Sequence, residues 1–314
     1  MPTHLQRCQQ PTFFFIGVTT SQSAAQRIFP RWMALLERSE VLLRGVDFRI
    51  HDEPAHYRQL VDLIKDDPLA LGGLITTHKI DLLNAARDRF DQLDPYAQLC
   101  GEVSCISKRA GALHGHAVDP VADGRALDAI LGADYFGRTG GHLLCFGAGG
   151  AAAALALHIL NKRAMADQPT QFTFVDLDTS RLEHVRGMVE KLPTAIQFHY
   201  IQNVDPRQND TWLAQLPTGS VVINATGMGK DRPGSPITDD AHFPLQGVAW
   251  ELNYRGALDF MHQALRQQAE LKLIVADGWV AFLHGWTGVI AQVLNVEITP
   301  TLFQQMAEVA THYR

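Results

Sequence analysis

The chain has 314 residues, a formal net charge of −6, 46% hydrophobic and 19% charged residues, and 4 cysteines. That length suggests about two domains, each large enough to bury its own core, and a mild negative charge without long like-charge blocks leaves no electrostatic footprint for nucleic acid or an anionic membrane. The apolar runs are too short to span a bilayer, the N-terminus lacks the pattern of a secretory signal, and the cysteines at 8, 100, 105 and 145 have neither zinc nor disulfide spacing. The expectation is a reduced, cytoplasmic protein working on a small molecule, without a metal, as a monomer or homodimer.

Strand-like and helical segments alternate nearly throughout, which predicts parallel α/β layers. In the first part the strands fall at 12–18, 41–50 and 71–76, with helices between them and another over 80–90, followed by a hairpin at 104–118 around Lys108-Arg109-Ala110-Gly111. The character changes over 122–140, where a short helix and Gly140-Gly141 mark a joint. Residues 1–123 are therefore expected to form an α/β domain that binds substrate, and 124–278 a doubly wound parallel sheet with strands at 171–176, 196–201, 220–225, 248–252 and 271–276. The apolar helical segment 279–294 and the helix 299–312 are expected to pack back on the first domain, making the joint double-stranded. Trp279, Phe282 and Trp286 read as helix-face packing, with a pocket wall as the alternative.

The second domain opens on Leu143-Leu144-Cys145-Phe146-Gly147-Ala148-Gly149-Gly150-Ala151-Ala152, an apolar strand running through a glycine turn into an alanine-rich helix. Gly147 suits the tight turn, Gly149 lets backbone approach a pyrophosphate, and Ala152 keeps helix and strand close. The N–H groups that begin the helix, at Gly150 and Ala151, are free for phosphate. The next strand ends in Asp176, where the ribose-reading acid of a dinucleotide fold is expected. An NADP site would want a cation just after that strand, and Leu177 stands there. The run Asp176-Leu177-Asp178-Thr179-Ser180-Arg181 therefore favours NAD over NADP, with Asp176 or Asp178 on the adenosine ribose and Arg181 stacking on adenine.

Five patches taken in order carry a resemblance to one family. They are Ser21-Gln22-Ser23, Ile75-Thr76-Thr77-His78-Lys79, Gly101-Glu102-Val103-Ser104-Cys105, Gly115-His116-Ala117-Val118-Asp119, and the pair Asn224-Ala225-Thr226 with Glu251-Leu252-Asn253-Tyr254. Over nearly the whole chain they resemble the shikimate dehydrogenase family: its Ser-x-Ser, its Val-Thr-x-Pro-x-Lys shortened by one residue, its Gly-Ala-Val-Asn-Thr with Ser104 for Asn, the Gly and Asp of its Gly-x-Asn-Thr-Asp, its Asn-Ala-Thr and its Asp-x-x-Tyr. His284 falls where that family has Gln. The resemblance implies that Lys79 and Asp119 form the catalytic pair, that Ser21, Ser23, Thr76, Ser104 and His284 contact substrate, and that Thr226, Gly227 and Met228 lie on the nicotinamide side.

The chemistry agrees with that implication. Oxidising a secondary alcohol needs hydride loss to a nicotinamide and proton loss from the hydroxyl, and a lysine takes that proton only where desolvation lowers its pKa from about 10 toward neutrality. A carboxylate beside it orients the ammonium. Ser21 and Ser23 could both donate to a substrate carboxylate, or cap a helix. Imidazole at 284 and a hydroxyl at 104 replace amides, which changes how substrate hydroxyls are read. The expected activity is an NAD-dependent interconversion of secondary alcohol and ketone on a carboxylated, hydroxylated ring such as shikimate or quinate. The rival from another class is a dinucleotide- or metabolite-binding regulator without turnover; a carbon–nitrogen oxidoreductase is disfavoured by Ser-x-Ser and Lys79/Asp119 together.

Overall fold

The run TFFFIG at Thr12–Gly17 is buried at every residue, as a parallel strand covered on both faces requires. It is β1 of a computed structural model that describes residues 6–230 and 232–314. The next elements are α1 (Ala25–Leu35), β2 (Leu42–Asp47), α2 (Pro54–Asp66), β3 (Ala70–Ile75), α3 (Lys79–Ala86), β4 (Gln92–Leu93), α4 (Pro95–Cys100), β5 (Cys105–Arg109) and β6 (Ala112–His116). There follow α5 (Asp119–Leu131), α6 (Tyr135–Thr139), β7 (Leu143–Phe146), α7 (Gly150–Leu160), β8 (Gln171–Asp176), α8 (Thr179–Val189), β9 (Gln197–Gln202) and α9 (Pro206–Ala214). The chain closes with β10 (Val221–Asn224), β11 (Val248–Glu251), α10 (Asp259–Leu271), β12 (Ile274–Ala276), α11 (Trp279–Leu294) and α12 (Pro300–Thr311).

Two compact units result, one of residues 1–118 with 285–314 and one of residues 119–284. The first holds a sheet in the order β2-β1-β3-β5-β6-β4. Its β1, β2 and β3 are parallel, while β5 runs antiparallel to both β3 and β6. The β5–β6 hairpin turns at Ala110 and Gly111, both with positive φ. Trp286 of α11 is buried in this unit, its ring centroid 4.9 Å from Phe15 and 6.1 Å from Phe13, and Trp32 of α1 donates through Nε1 to the Met306 carbonyl of α12 at 2.8 Å.

The second unit holds an all-parallel sheet, β12-β11-β10-β7-β8-β9. Numbered from β7 as its first strand, this is the order 3-2-1-4-5-6 of the doubly wound dinucleotide folds, reversing between β7 and β10. The central strands LLCF, VVIN and VAWE are buried throughout, while the edge strand β9 is not. Trp279 and Phe282, at the start of α11, stack 5.0 Å apart, and Tyr254 lies 4.5 Å from Phe282. No helix among the described residues is long and apolar enough to cross a membrane.

Candidate functional site

In the first unit the candidate residues gather where β1, β3 and β5 meet the following turns. Lys79, half-buried, is the first residue of α3, three residues beyond Thr76, which directly follows β3. His78 before it is 1% exposed, with Nε2 3.1 Å from the Gly17 carbonyl and Nδ1 3.0 Å from the Tyr57 hydroxyl. A carbonyl only accepts, so the proton sits on Nε2 and the tyrosine donates to Nδ1. Burial lowers the imidazole's pKa and pushes the tyrosine hydroxyl up to about 12. Both groups are thereby neutral near pH 7, and the backbone preceding Lys79 is tied to the end of β1.

Residues 103 and 104 do the same from the other side. The Val103 N–H donates to the Lys79 carbonyl at 3.3 Å, and the Ser104 carbonyl accepts the Ile75 N–H at 2.9 Å. Ser104 is 2% exposed, and its Oγ accepts the Val118 N–H at 2.8 Å, fixing the residue immediately before Asp119. Glu102, not among the residues singled out from sequence, is wholly buried in this turn. Its charge and that of Lys79 both reach the buried Cys100 thiol, which burial first, then Glu102, pushes up to about 12. A lone carboxylate in an unfamiliar place of a motif was the signal available in sequence.

The two serines differ. Ser21 is exposed in a short 3-10 turn, Thr20–Gln22, whose Thr20 N–H is held by Asp47 at 2.8 Å. Ser23 is 6% exposed, and its Oγ accepts the Ala25 N–H at 3.2 Å where α1 begins. Thr76 donates through Oγ1 to the Ile16 carbonyl at 3.2 Å.

In the second unit the glycine turn has the form its sequence suggests. Gly147 adopts φ +99, and a Cβ there would stand 2.7 Å from the Ala225 carbonyl oxygen, so the turn tolerates only glycine. A Cβ on Gly149 would meet no atom within 4 Å, which leaves open space where α7 starts at Gly150 and Ala151. That cradle and those first-turn N–H groups fit a phosphate. Asp176 is spent on the turn itself: its two oxygens accept the Ala148 N–H at 2.7 Å and the Asp178 N–H at 2.9 Å. Asp178 caps α8, taking the Ser180 N–H and Oγ–H on Oδ1 at 2.8 and 2.7 Å. Those bonds hold its carboxyl below the usual range, and Arg181 lies 3.8 Å from Oδ2. Leu177 between the two acids is 56% exposed.

Thr226 and Met228 belong to a hydrogen-bonded turn after β10. The Asn224 Oδ1 accepts from the Thr226 N–H and hydroxyl at 3.1 and 2.7 Å, and Thr226 Oγ1 accepts the Met228 N–H at 3.1 Å. Asp119 opens α5, which also carries Arg125. His284 in α11 is half-buried, and burial first, then the Arg125 charge, lowers its pKa. It is therefore neutral near pH 7. Among the described residues no group of three or more His, Cys, Asp or Glu could hold a metal ion.

Fold and residues together describe two α/β units, one carrying a dinucleotide-type sheet. No family model matches the chain. Among curated proteins it is 26% identical over 206 residues to the NADP(+) shikimate dehydrogenase of Streptococcus thermophilus, covering 63% of this chain and 66%, about two thirds, of that one. The corresponding enzyme of Symbiobacterium thermophilum is 27% identical over 217 residues, 68% of each chain, and that of Methylobacterium radiotolerans is 24% identical over 276 residues, 87% of this chain and 88% of that one. These curated relatives are shikimate dehydrogenases, in keeping with the resemblance read from the sequence. Solved structures share the fold: shikimate 5-dehydrogenase of Listeria monocytogenes, in complex with shikimate and NAD, superposes with TM-score 0.69 at 17% identity, covering 98% of each chain. The 5-ketofructose reductase of a Gluconobacter strain superposes with TM-score 0.66 at 16% identity, covering 96% of this chain and 98% of that one.

Proposed function

We propose that this protein is an NAD-dependent dehydrogenase interconverting a secondary alcohol and a ketone on a carboxylated, hydroxylated ring of the shikimate or quinate type. The observation that carries the reading is that residues 103 and 104 hold both Lys79, through its carbonyl, and Val118, through its N–H, so one turn sets the backbone of Lys79 and of the residue before Asp119. In this reading the Lys79 amine takes the hydroxyl proton and Asp119 orients it and shares the hydroxyl. Bound NAD supplies the acceptor for the hydride that leaves the same carbon. Ser21, Ser23, Thr76, Ser104 and His284 are the proposed substrate contacts, with Ser104 also holding the Val118 N–H. Gly147, Gly149, Gly150 and Ala151 take the pyrophosphate, Asp178 Oδ2 the ribose, and Arg181 the adenine; Asp176 holds the turn.

NAD is favoured because Leu177 offers nothing to a 2′-phosphate and Asp176 and Asp178 repel it. The curated relatives above are all described as NADP(+) enzymes, so this chain departs from them here. A second reading follows from Ser23: it is 6% exposed while Ser21 is open, and a carboxylate served by one open serine hydroxyl is less well held, which favours a neutral polyhydroxy ketone such as the substrate named for the 5-ketofructose reductase.

NADH formation with a panel of alicyclic hydroxy acids and neutral polyols, run beside Lys79→Ala, separates the possibilities. Turnover of an acid is expected, with the variant losing about 10²- to 10⁴-fold in kcat while retaining dinucleotide affinity. Tight NAD binding without turnover, with Lys79→Ala altering ligand affinity alone, would establish the regulator instead.

A further inference from the structure

Asn224 and Glu251 are register partners on the adjacent parallel strands β10 and β11, so both side chains emerge side by side at the strand ends. Glu251 is wholly buried, and both its oxygens accept hydrogen bonds: Oε2 accepts from Asn224 Nδ2 at 2.7 Å, and Oε1 accepts from Asn253 Nδ2 at 2.6 Å and from the Asn253 N–H at 2.9 Å. The same two amides reach the Met228 carbonyl, Asn253 at 3.0 Å and Asn224 at 3.4 Å. Asn224 cannot turn its amide over without losing the Thr226 N–H and hydroxyl bonds to Oδ1. Its Nδ2 is therefore fixed as a donor toward Glu251, and the Oε2 it faces must accept. The turn so held abuts the glycine loop, since Ala225 O is the atom that excludes a side chain from Gly147.

We propose that Glu251 is the positioning residue of the turn 224–228, and that its ionised carboxylate sets the dinucleotide-facing geometry of Thr226 and Met228. The proposal rests on the reading that this turn lines the nicotinamide side. Burial raises the Glu251 pKa to about 7 against the lowering effect of its three hydrogen bonds and of the Lys230 charge. Strands β10 and β12 on either side carry no charged residue, and α10, packed on β11, buries only Phe260, Gln263 and Ala264. A proton on Oε2 would face the Asn224 N–H, so the turn loosens as pH falls through about 7.

The test combines NADH fluorescence titration with amide NMR of the full chain from pH 6 to 8.5, for wild type, Glu251→Gln and Glu251→Asp. Losing one such hydrogen bond corresponds to roughly a fivefold effect. Wild-type affinity is expected to weaken by about that factor from pH 8 to 6, Glu251→Gln to show the weaker value at both, and Glu251→Asp to keep the pH dependence. The Thr226 and Met228 amides should titrate together in the wild type near neutrality and stay flat in Glu251→Gln. A wild type that binds no dinucleotide removes the parent reading and this proposal with it. Equal affinity and pH dependence in Glu251→Gln, or wild-type amides that do not titrate, overturns the proposal alone.

Discussion

His78 shows how much one buried side chain can organise. Its ring joins Gly17 to Tyr57 and precedes Lys79 in the chain, and burial holds it neutral. The His78 pKa is lowered in the folded protein, chiefly by burial, whereas the unfolded chain titrates near 6.5. As pH falls through that value the unfolded chain takes up a proton that the folded one resists, so this contribution is present above about 6.5 and lost below it, with a limiting slope of about 1.4 kcal/mol per pH unit. Glu251 has the opposite sign: its raised pKa makes its contribution fullest below the ordinary glutamate range and lost as pH rises through about 7. Denaturant titrations at pH 7 and 5 should show a shallower loss of stability toward acid in His78→Gln than in wild type. Equal slopes would mean the imidazole is not held neutral. That a histidine stands before Lys79 is plain from sequence; that it is held neutral depends on burial beside Gly17 and Tyr57, which lie 61 and 21 residues away in the chain.

At the scale of elements, the turn from β8 into α8 carries the cofactor question. The sequence places Asp176 and Asp178 correctly at a strand end and a helix start, because a glycine turn, a strand and an acid in order are local signals. What it does not reveal is how the oxygens are spent: Asp176 is 7% exposed and holds the glycine loop, so of this turn only Asp178 and the exposed Leu177 are left for the adenosine contact proposed above. Glu251 is legible only as the first residue of Glu251-Leu252-Asn253-Tyr254; its bond to Asn224 depends on the register of β11 against β10, which no pattern along the chain fixes. Leu177→Arg places a guanidinium where a 2′-phosphate would sit, a contact of the charge-assisted kind worth about 1.5–3 kcal/mol. The ratio of kcat/KM for NADP to that for NAD is expected to rise about 10- to 100-fold in this variant. An unchanged ratio would show that the β8–α8 turn does not read the adenosine ribose. In Asp176→Asn, by contrast, affinity for both dinucleotides should fall together, because the glycine loop loses a charged anchor.

For the whole molecule, the first unit is discontinuous, built from residues 1–118 and completed by 285–314. Alternation of strands and helices makes the α/β class legible, and the apolar run that becomes α11 is plain in the sequence, but which strands that helix covers is a matter of packing. The short β4 and α4 escaped notice because they are only 2 and 6 residues long, below the length at which periodicity speaks. Trp286 sits 3% exposed against Phe13, Phe15, Phe29 and Trp32, so it closes the core of the first unit from a part of the chain that arrives last. Truncating a buried Trp costs about 3–5 kcal/mol, a large share of the roughly 5–15 kcal/mol that holds a domain folded. In Trp286→Ala, native-state hydrogen exchange should therefore accelerate by about two to three orders of magnitude at the β1 and β3 amides while those of β7, β10 and β11 keep their wild-type protection, because their core, built on Leu144, Phe146, Val222 and Ala249, does not include that ring. Acceleration by the same factor in both sheets would mean that the two units open as one cooperative structure, and that the core of each depends on the other.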